Sequence, residues 1–298
     1  MAMMRPLSEA LTGTSVDVAD GQPILAVADL VLRFGGTTAI DGVGFEVQPG
    51  ELFSIIGPNG AGKTSIFNCL SGVYRPQAGQ IDFLGVDLLA GLRPDAIAKL
   101  GISRMFQNIE LFDNLTVLDN LMLGRHQHLG YGPLAGMLYA GRARRIELEN
   151  RRIVEDIIDF LEIAAFRKFP VGMLPYGVKK RVELGRALAM EPKLLLLDEP
   201  VAGMNVEETE DMARFILDIR AELGLAMVMV EHDMGLVMDL ADRVMVLDFG
   251  KRISLGTPDV VQQDPEVIKA YLGEGDEGEV IEVALDRDTH TATEEVTS

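Results

Sequence analysis

The feature that most constrains this chain is a glycine-rich segment at residues 57–64. Its residues are Gly57-Pro58-Asn59-Gly60-Ala61-Gly62-Lys63-Thr64, which fit the pattern G-x-x-x-x-G-K-[ST] at every fixed position. An apolar run at 52–56 precedes the segment and is typical of a buried strand, and residues 65–70 are typical of the opening of a helix. This order of strand, loop and helix is the setting of a phosphate-binding loop. A chance glycine-rich turn would not need both flanks.

The residue types in the segment explain how it would hold a phosphate chain. Glycines let the backbone curl so that its N–H groups point inward, and the N-terminus of the following helix adds positive potential. Lys63 would reach the β- and γ-phosphates of a nucleotide, and the hydroxyl of Thr64 would bind Mg²⁺. The segment therefore predicts a site for a nucleoside triphosphate and Mg²⁺.

Composition limits the remaining classes of protein. The chain has 298 residues, of which 48% are hydrophobic, and this is enough for a sizeable core. Its net charge of −19 argues against a general nucleic-acid binder. The single cysteine, Cys69, cannot form an internal disulfide and fits a reducing compartment. Because the sequence has no run of 18 apolar residues, we expect no membrane span and a cytoplasmic protein.

The distribution of apolar residues predicts one folded body between two unstructured ends. Residues 1–23 are expected to be a disordered leader, and 274–298 an acidic disordered tail. Strand-like and helix-like runs alternate through 24–273, which predicts an α/β fold with a mainly parallel sheet. A small antiparallel β subdomain should precede the phosphate-binding loop. Residues of about 107–184 have a different, mainly helical character and predict an inserted helical subdomain.

A charged helix is predicted from 143 to 161. Isoleucines and a leucine recur along it near helical spacing, so one face should pack inward. Its basic residues are Arg142, Arg144, Arg145, Arg151 and Arg152. They form either a docking or lipid-headgroup surface or a solvated face paired with neighbouring glutamates, and the second reading is favoured.

Four further features follow the phosphate-binding loop in a fixed order. They are Gln107 after a predicted strand, Leu174-Pro175-Tyr176-Gly177-Val178 before a basic helix, an apolar run ending in Asp198-Glu199-Pro200, and His232 at the end of a strand. The complete set resembles the nucleotide-binding subunit of ABC transporters over residues 24–273. The resemblance implies a P-loop NTPase (ABC ATPase) core that binds and hydrolyses ATP.

The resemblance also implies a role for each of these residues. Asp198 would hold Mg²⁺ through water, and Glu199 would be the general base that polarises the attacking water. Gln107 would sense the metal and the water, and His232 would contact the γ-phosphate. The implied catalytic residues are Glu199, His232, Lys63 and Gln107. The implied metal ligands are Thr64, Gln107 and Asp198. The implied nucleotide contacts are Phe34, Gly57, Pro58, Asn59, Gly60, Ala61, Gly62, Lys63, Thr64, Ser65, Pro175, Tyr176, Gly177 and Val178.

Some of these positions have a competing interpretation or depart from the usual sequence of the family. Phe34 would stack on adenine, although a core phenylalanine is a competing interpretation. The loop at 174–178 departs from the family's usual Leu-Ser-Gly-Gly-Gln, because Pro175 lacks the hydroxyl and the N–H that face the γ-phosphate. Val178 also replaces a polar residue. We expect reduced but not absent activity from this loop. Asn205 stands where the family's D-loop more often has aspartate.

The resemblance implies partners as well. The family works as a head-to-tail dimer in which each ATP lies between the 57–64 loop of one subunit and the 174–178 loop of the other. The chain would need an identical or homologous second ATPase, two membrane permeases and, indirectly, a periplasmic binding protein, at the cytoplasmic face of the membrane. Several local motifs resemble the branched-chain amino-acid importers. They are Arg33-Phe34-Gly35-Gly36, Phe106-Gln107-Asn108, the Leu-x-Tyr-Gly of 174–177, the glycine-rich insertion near 124–142 and the ending at 256–273.

Other functions remain open at the level of sequence. Urea and short-amide importers and the ATPase of lipopolysaccharide export share this branch of the family. A partly degenerate partner subunit in a heterodimer is a further alternative, suggested by Pro175 and Val178. A soluble ABC protein of DNA repair or translation is disfavoured, because a second nucleotide domain and long coiled-coil insertions are missing from the sequence.

Overall fold

The computed structural model describes residues 6–14, 16, 19, 21–128 and 142–272. These residues form one mainly parallel sheet, one antiparallel sheet and the helices packed on them. The strands are β1 (Leu25–Phe34), β2 (Thr37–Val47), β3 (Leu52–Ile56), β4 (Ala78–Phe83), β5 (Val86–Asp87), β6 (Ile102–Met105), β7 (Leu194–Asp198), β8 (Ala226–Val230), β9 (Arg243–Asp248) and β10 (Lys251–Gly256). The helices are α1 (Leu7–Ala10), α2 (Lys63–Leu70), α3 (Pro94–Leu100), α4 (Val117–Gly124), α5 (Arg142–Phe160), α6 (Tyr176–Leu188), α7 (Val206–Leu223), α8 (Met234–Leu240), α9 (Pro258–Gln262) and α10 (Pro265–Leu272).

The larger sheet has the strand order β10-β9-β3-β8-β7-β6 in the described part of the chain. Its neighbours pair in parallel from β9 to β6, and only β10 runs antiparallel to β9. Every residue of β3, β7 and β8 is buried. This explains their continuous apolar runs, because a central parallel strand is covered on both faces. The predicted α/β fold with a mainly parallel sheet is confirmed.

The smaller sheet is antiparallel, with the order β2-β1-β4-β5. Strands β1 and β2 precede the phosphate-binding loop, as predicted, and β4 and β5 are added to the same sheet after it. The core divides on the two faces of the larger sheet, because successive side chains of a strand point to opposite sides. Leu194 and Leu196 of β7 pack with the antiparallel sheet and α2, whereas Leu195 and Leu197 pack with α4, α5, α6 and α7.

The prediction of an unstructured leader is wrong for residues 6–14. Leu7, Ala10 and Leu11 are buried, and α1 packs against α5 and α7. The backbone N–H of Leu7 also donates to a carboxylate oxygen of Glu222 at 2.9 Å. Three apolar residues at positions i, i+3 and i+4 form a stripe wide enough to join the core, although the surrounding segment is too polar to stand out. The predicted tail at 274–298 lies outside the described residues.

The helical part contains α4, α5 and α6. Ile157, Ile158 and Leu161 are buried, which confirms the predicted inward face of α5. On its outer face Arg145 pairs with Glu149 at 3.1 Å, which matches the interpretation of a solvated face. The sequence at 129–142, with four glycines and one proline, predicts an irregular insertion, and this stretch falls mostly on 129–141, outside the described residues. Among the described helices, none is both long and apolar enough to cross a membrane.

Candidate functional site

The candidate site lies at one edge of the larger sheet. Strands β3, β8, β7 and β6 are adjacent in this order and parallel, so their carboxyl ends lie side by side. In open α/β sheets ligands bind at this edge. The 57–64 loop follows β3, His232 follows β8, Asp198-Glu199 lies at the end of β7, and Gln107 follows β6. Four of the five predicted motifs are therefore brought together by the fold.

The backbone of the 57–64 loop curls as the motif requires. Gly57 is buried with φ of +144°, and a Cβ atom there would lie 2.0 Å from the carbonyl oxygen of Leu247. Only glycine satisfies both conditions. Lys63 opens α2 and is 8% exposed, and its Nζ donates to the carbonyl oxygens of Gly57 and, at 3.1 Å, of Pro58. The ammonium group thus lies against the inner side of the loop.

Two predicted catalytic side chains, those of Gln107 and His232, approach one carboxylate oxygen of a third, Glu199. Gln107 donates from Nε2 to Oε2 of Glu199 at 2.7 Å, and Nδ1 of His232 lies 3.9 Å from the same oxygen. The side chain of Glu199 is 17% exposed, whereas that of His232 is 64% exposed. Glu199 also has φ of +47°, a left-handed conformation that is costly for a residue with a side chain. Such local strain is typical of functional sites.

Asp198 offers one carboxylate oxygen without a partner. Its Oδ2 accepts from Arg104 in a buried ion pair, but its Oδ1 has no hydrogen-bond partner among the described residues. A buried unpaired acceptor costs about 1–3 kcal/mol, so it marks a position that a further group would satisfy. Carboxylate and hydroxyl oxygens are ligands that Mg²⁺ prefers. The donor set of Asp198 and Thr64 fits that ion.

Phe34 ends β1 and is 47% exposed, so it is not a core side chain. Its ring contacts that of Tyr74 edge to face, with the centroids 5.1 Å apart. An exposed aromatic side chain is compatible with adenine stacking, which stays a prediction.

The loop at 174–178 opens α6. Pro175 is the N-cap residue and provides no side-chain cap, and Tyr176 is exposed. The hydroxyl of Tyr176 donates to the carbonyl oxygen of Ala202 at 3.0 Å. A Cβ atom on Gly177 would lie 2.3 Å from a carboxylate oxygen of Glu208, so a larger residue would displace the Glu208 side chain.

The departures in this region have structural reasons. Val178 is half-buried and packs on the core, which suits an apolar residue. Asn205 caps α7 by accepting from the N–H of Glu208 at 3.0 Å, and the Glu208 carboxylate accepts from the N–H of Asn205 at 3.1 Å. This reciprocal cap stabilises the start of the helix.

Comparison with known proteins decides the family. Residues 40–202, more than half of the chain, match the family model "ABC transporter". The chain belongs to the ABC transporter family. Residues 251–277 also match the model "Branched-chain amino acid ATP-binding cassette transporter". The protein is therefore an ATP-binding subunit and an ATPase of this family.

The chain aligns with similar ABC transporter subunits over nearly their whole length. The chain is 40% identical over 253 residues to the high-affinity branched-chain amino acid transport ATP-binding protein BraF of Pseudomonas aeruginosa, covering 85% of this chain and 99% of the relative. It is 39% identical to LivG of Escherichia coli, a relative of the same description, with the same coverage. A nucleotide-free ATP-binding cassette from an ABC transporter has a TM-score of 0.73 and 31% identity, over 85% of this chain and all of that one.

The ABC ATPase also has buried charged residues around the site that the sequence reasoning missed. Arg104 donates to Oδ1 of Asn68 on α2 at 2.7 Å and forms the ion pair with Asp198. Glu231 accepts from the N–H of Val201 and from that of His232, each at 3.1 Å. Burial raises the pKa of Glu231. A signal was present for both, because each is a charged residue within or directly after an apolar strand.

A third group lies on one face of α6, at a spacing of three residues. Lys180 is fully buried and donates to the carbonyl oxygen of Gln107 at 2.9 Å. Glu183 accepts from the N–H of Glu110 at 3.4 Å, and burial raises its pKa to about 7. Arg186 donates to the carbonyl oxygen of Glu110. The segment after β6 is thus held by three charged side chains of one helix.

Proposed function

We propose that this chain uses Mg²⁺ and ATP to drive an importer of branched-chain amino acids. The relatives named above support the substrate class, and so does the match of residues 251–277 to a branched-chain amino acid transporter model. Related short amides are the nearest alternative substrates. The transported molecule would be selected by the membrane partners, and this subunit would supply the energy.

The observation that carries the proposal is the convergence of Gln107 and His232 on the carboxylate of Glu199. In the proposed reaction Glu199 polarises a water molecule for attack on the γ-phosphate, which is general-base catalysis. Gln107 and His232 orient that carboxylate and the phosphate, and Lys63 balances phosphate charge. Thr64, Gln107 and Asp198 would hold Mg²⁺, which neutralises charge on the β- and γ-phosphates when it is bound.

The proposed assembly is a head-to-tail dimer with a second ATPase. Pro175 and Tyr176 are exposed at the N-terminus of α6, a 13-residue helix that directs positive potential outward from this loop. In the dimer this loop would contact the ATP held by the partner's phosphate-binding loop. Two permeases and, through them, a periplasmic binding protein complete the proposed transporter, with this subunit at the cytoplasmic face of the membrane.

The experiment that tests the reaction is Glu199→Gln. The exchange keeps the shape of the side chain but removes the base, so hydrolysis should fall by a factor on the order of 100 or more. Binding of Mg²⁺-ATP should be kept, and an ATP-dependent dimer should accumulate in size-exclusion chromatography. Glu210→Gln, at an exposed position of α7, is the matched control and should hydrolyse ATP normally.

Two results would contradict the proposed function. Normal ATP hydrolysis by the Glu199→Gln variant would show that Glu199 is not the general base. ATP-driven uptake into vesicles containing the subunit with its permeases tests the cargo: leucine should be taken up and urea should not. Uptake of urea alone would replace the proposed substrate class.

A further inference from the structure

The ammonium group of Lys180 joins two segments of the catalytic edge. Lys180 is 0% exposed, and its Nζ lies 2.9 Å from the carbonyl oxygen of Gln107 and 3.5 Å from that of Glu199. The first segment follows β6 and the second follows β7. One side chain of α6 therefore contacts the backbone of both residues whose side chains meet at Oε2 of Glu199.

Burial and neighbouring carboxylates act in opposite directions on this ammonium group. Four carboxylates act on it electrostatically and oppose the effect of burial, which lowers its pKa: Glu183, Glu231, Asp198 and Glu199. A buried cation is costly unless it is paired and hydrogen-bonded. Here the carboxylates supply the opposite charge, and the two backbone carbonyl oxygens accept hydrogen bonds from the ammonium group. The position of the ammonium group is thus fixed from several sides.

The backbone at Glu199 needs such support. Its φ of +47° is strained, so contacts at its two peptide groups must hold it. Its N–H donates to the carbonyl oxygen of Val230 at 2.9 Å, which ties it to β8. Its own carbonyl oxygen accepts from the N–H of Ala202 at 3.2 Å and lies 3.5 Å from Nζ of Lys180. Removing the Lys180 contact leaves this carbonyl with only the local bond to Ala202, three residues further along the chain.

We propose that Lys180 is a positioning residue for ATP hydrolysis, which sets the backbone of Gln107 and Glu199 from the helix that follows the 174–178 loop. This proposal rests on the proposed function. It also gives a route between the two ATP sites of the dimer. The 174–178 loop would contact the ATP of the partner, and Lys180, on the first turns of the same helix, holds residues that act on the ATP of its own subunit. Movement of α6 at one site would then change Glu199 at the other.

The test compares Lys180→Gln and Lys180→Met with Lys179→Met. Glutamine keeps a donor but is too short to reach both carbonyls, and methionine keeps the length but donates nothing. Lys179 is the matched control, because it lies on the same helix and donates instead to the carbonyl oxygen of Gly172 at 3.3 Å. Both Lys180 variants should lower kcat by roughly tenfold or more through misplacement of the base, while the Kd for ATP changes less than about twofold. Lys180→Arg should recover part of the rate.

Hydrogen exchange of the nucleotide-free protein gives a readout that does not depend on activity. Amides at 106–110 should exchange faster in both Lys180 variants than in the wild type, and Lys179→Met should leave them unchanged. A folded Lys180→Gln variant with a normal kcat would overturn the proposal. So would a parallel loss of kcat, ATP affinity and melting temperature, which indicates a structural role only.

The proposed function and the role of Lys180 can be contradicted independently of each other. If the wild-type protein hydrolysed no ATP, the reaction assigned to the site would be wrong. The exchange at 106–110 would still decide whether Lys180 holds that segment, since faster exchange supports the contact and unchanged exchange refutes it.

Discussion

The chain presents two loops that each open a helix, and the two loops differ in how complete they are. The 57–64 loop is curled around the ammonium group of Lys63, and two of its glycines, Gly57 and Gly62, lie close to neighbouring backbone. The 174–178 loop has an exposed proline as its N-cap residue and an exposed tyrosine in the first turn. The first loop encloses a site within one subunit, whereas the second presents a helix end outward.

The difference shows where each half of the function resides. A helix N-terminus can bind a phosphate only if the groups around it complete the contact. The 57–64 loop has those groups nearby, at the edge of the sheet that carries Asp198, Glu199 and His232. The 174–178 loop is tied instead to Ala202 and Glu208 of its own chain. Substitutions in the 57–64 loop should therefore change the binding of ATP by a single subunit. Substitutions in the 174–178 loop should change only the steps that require two subunits.

The largest expected effect separates the loops most directly. Lys63→Ala removes a cation that would donate to two phosphates, and charge-assisted hydrogen bonds contribute about 1.5–3 kcal/mol each. The affinity for ATP should fall by a factor on the order of 100 or more in equilibrium titrations with a fluorescent ATP analogue at protein concentrations that keep the chain monomeric. Lys179→Ala, the matched basic residue near the second loop, should bind the analogue normally. Equal losses in both variants would mean that the loops are not distinct in this way.

An intermediate effect concerns the helix behind the second loop. Burial raises the pKa of Glu183 from 4.5 to about 7, against the opposing effects of Lys180 and Arg186 and of the N–H group of Glu110. Below about pH 4.5 the carboxyl is protonated in the folded and the unfolded chain. Between about 4.5 and 7 the unfolded chain releases this proton and the folded chain retains it, so this group's contribution to stability is lost as the pH rises.

Glu183→Gln should therefore stabilise the protein more at pH 8 than at pH 5. The difference in the free energy of unfolding between variant and wild type should increase by up to about 3 kcal/mol across that range, because each unit of pKa shift corresponds to about 1.4 kcal/mol. Thermal unfolding at both pH values measures it. Glu210→Gln, which is exposed on α7, serves as the control and should show no such trend. If the difference in the free energy of unfolding between Glu183→Gln and wild type were the same at both pH values, the buried carboxylate of Glu183 would not account for the pH dependence.

The same comparison shows what could be predicted from sequence. The order of strands and helices and the residues at the strand ends were predictable, because apolar runs and turn residues are local signals and the 57–64 pattern has a fixed structural setting. The contacts of Lys180 were not, because they join a helix to two backbone carbonyls that are 73 and 19 residues away in sequence. The buried stripe of α1 was missed because four helical residues give too short a periodic pattern.

The smallest expected effect tests whether the second loop is weakened or only different. Pro175→Ser supplies an N-cap side chain, which stabilises a helix by about 0.5–2 kcal/mol. It also removes a proline whose φ of −56° is already suitable, and that loss costs about 0.4–1 kcal/mol through the unfolded state. The two effects largely cancel, so the melting temperature should change little.

The rate of hydrolysis should respond where stability does not. Serine would add a hydroxyl and an N–H group that can donate to the γ-phosphate of the ATP bound by the partner. At an exposed position such a bond belongs at the lower end of the charge-assisted range, so the steady-state rate should rise by about tenfold at most. Steady-state ATPase and ATP-dependent dimerisation measure the effect, and the affinity of the monomer for ATP should stay the same. If the rate and dimerisation are both unchanged, the proline is not a weakness of this loop, because the helix end alone then supplies what the partner's phosphate requires.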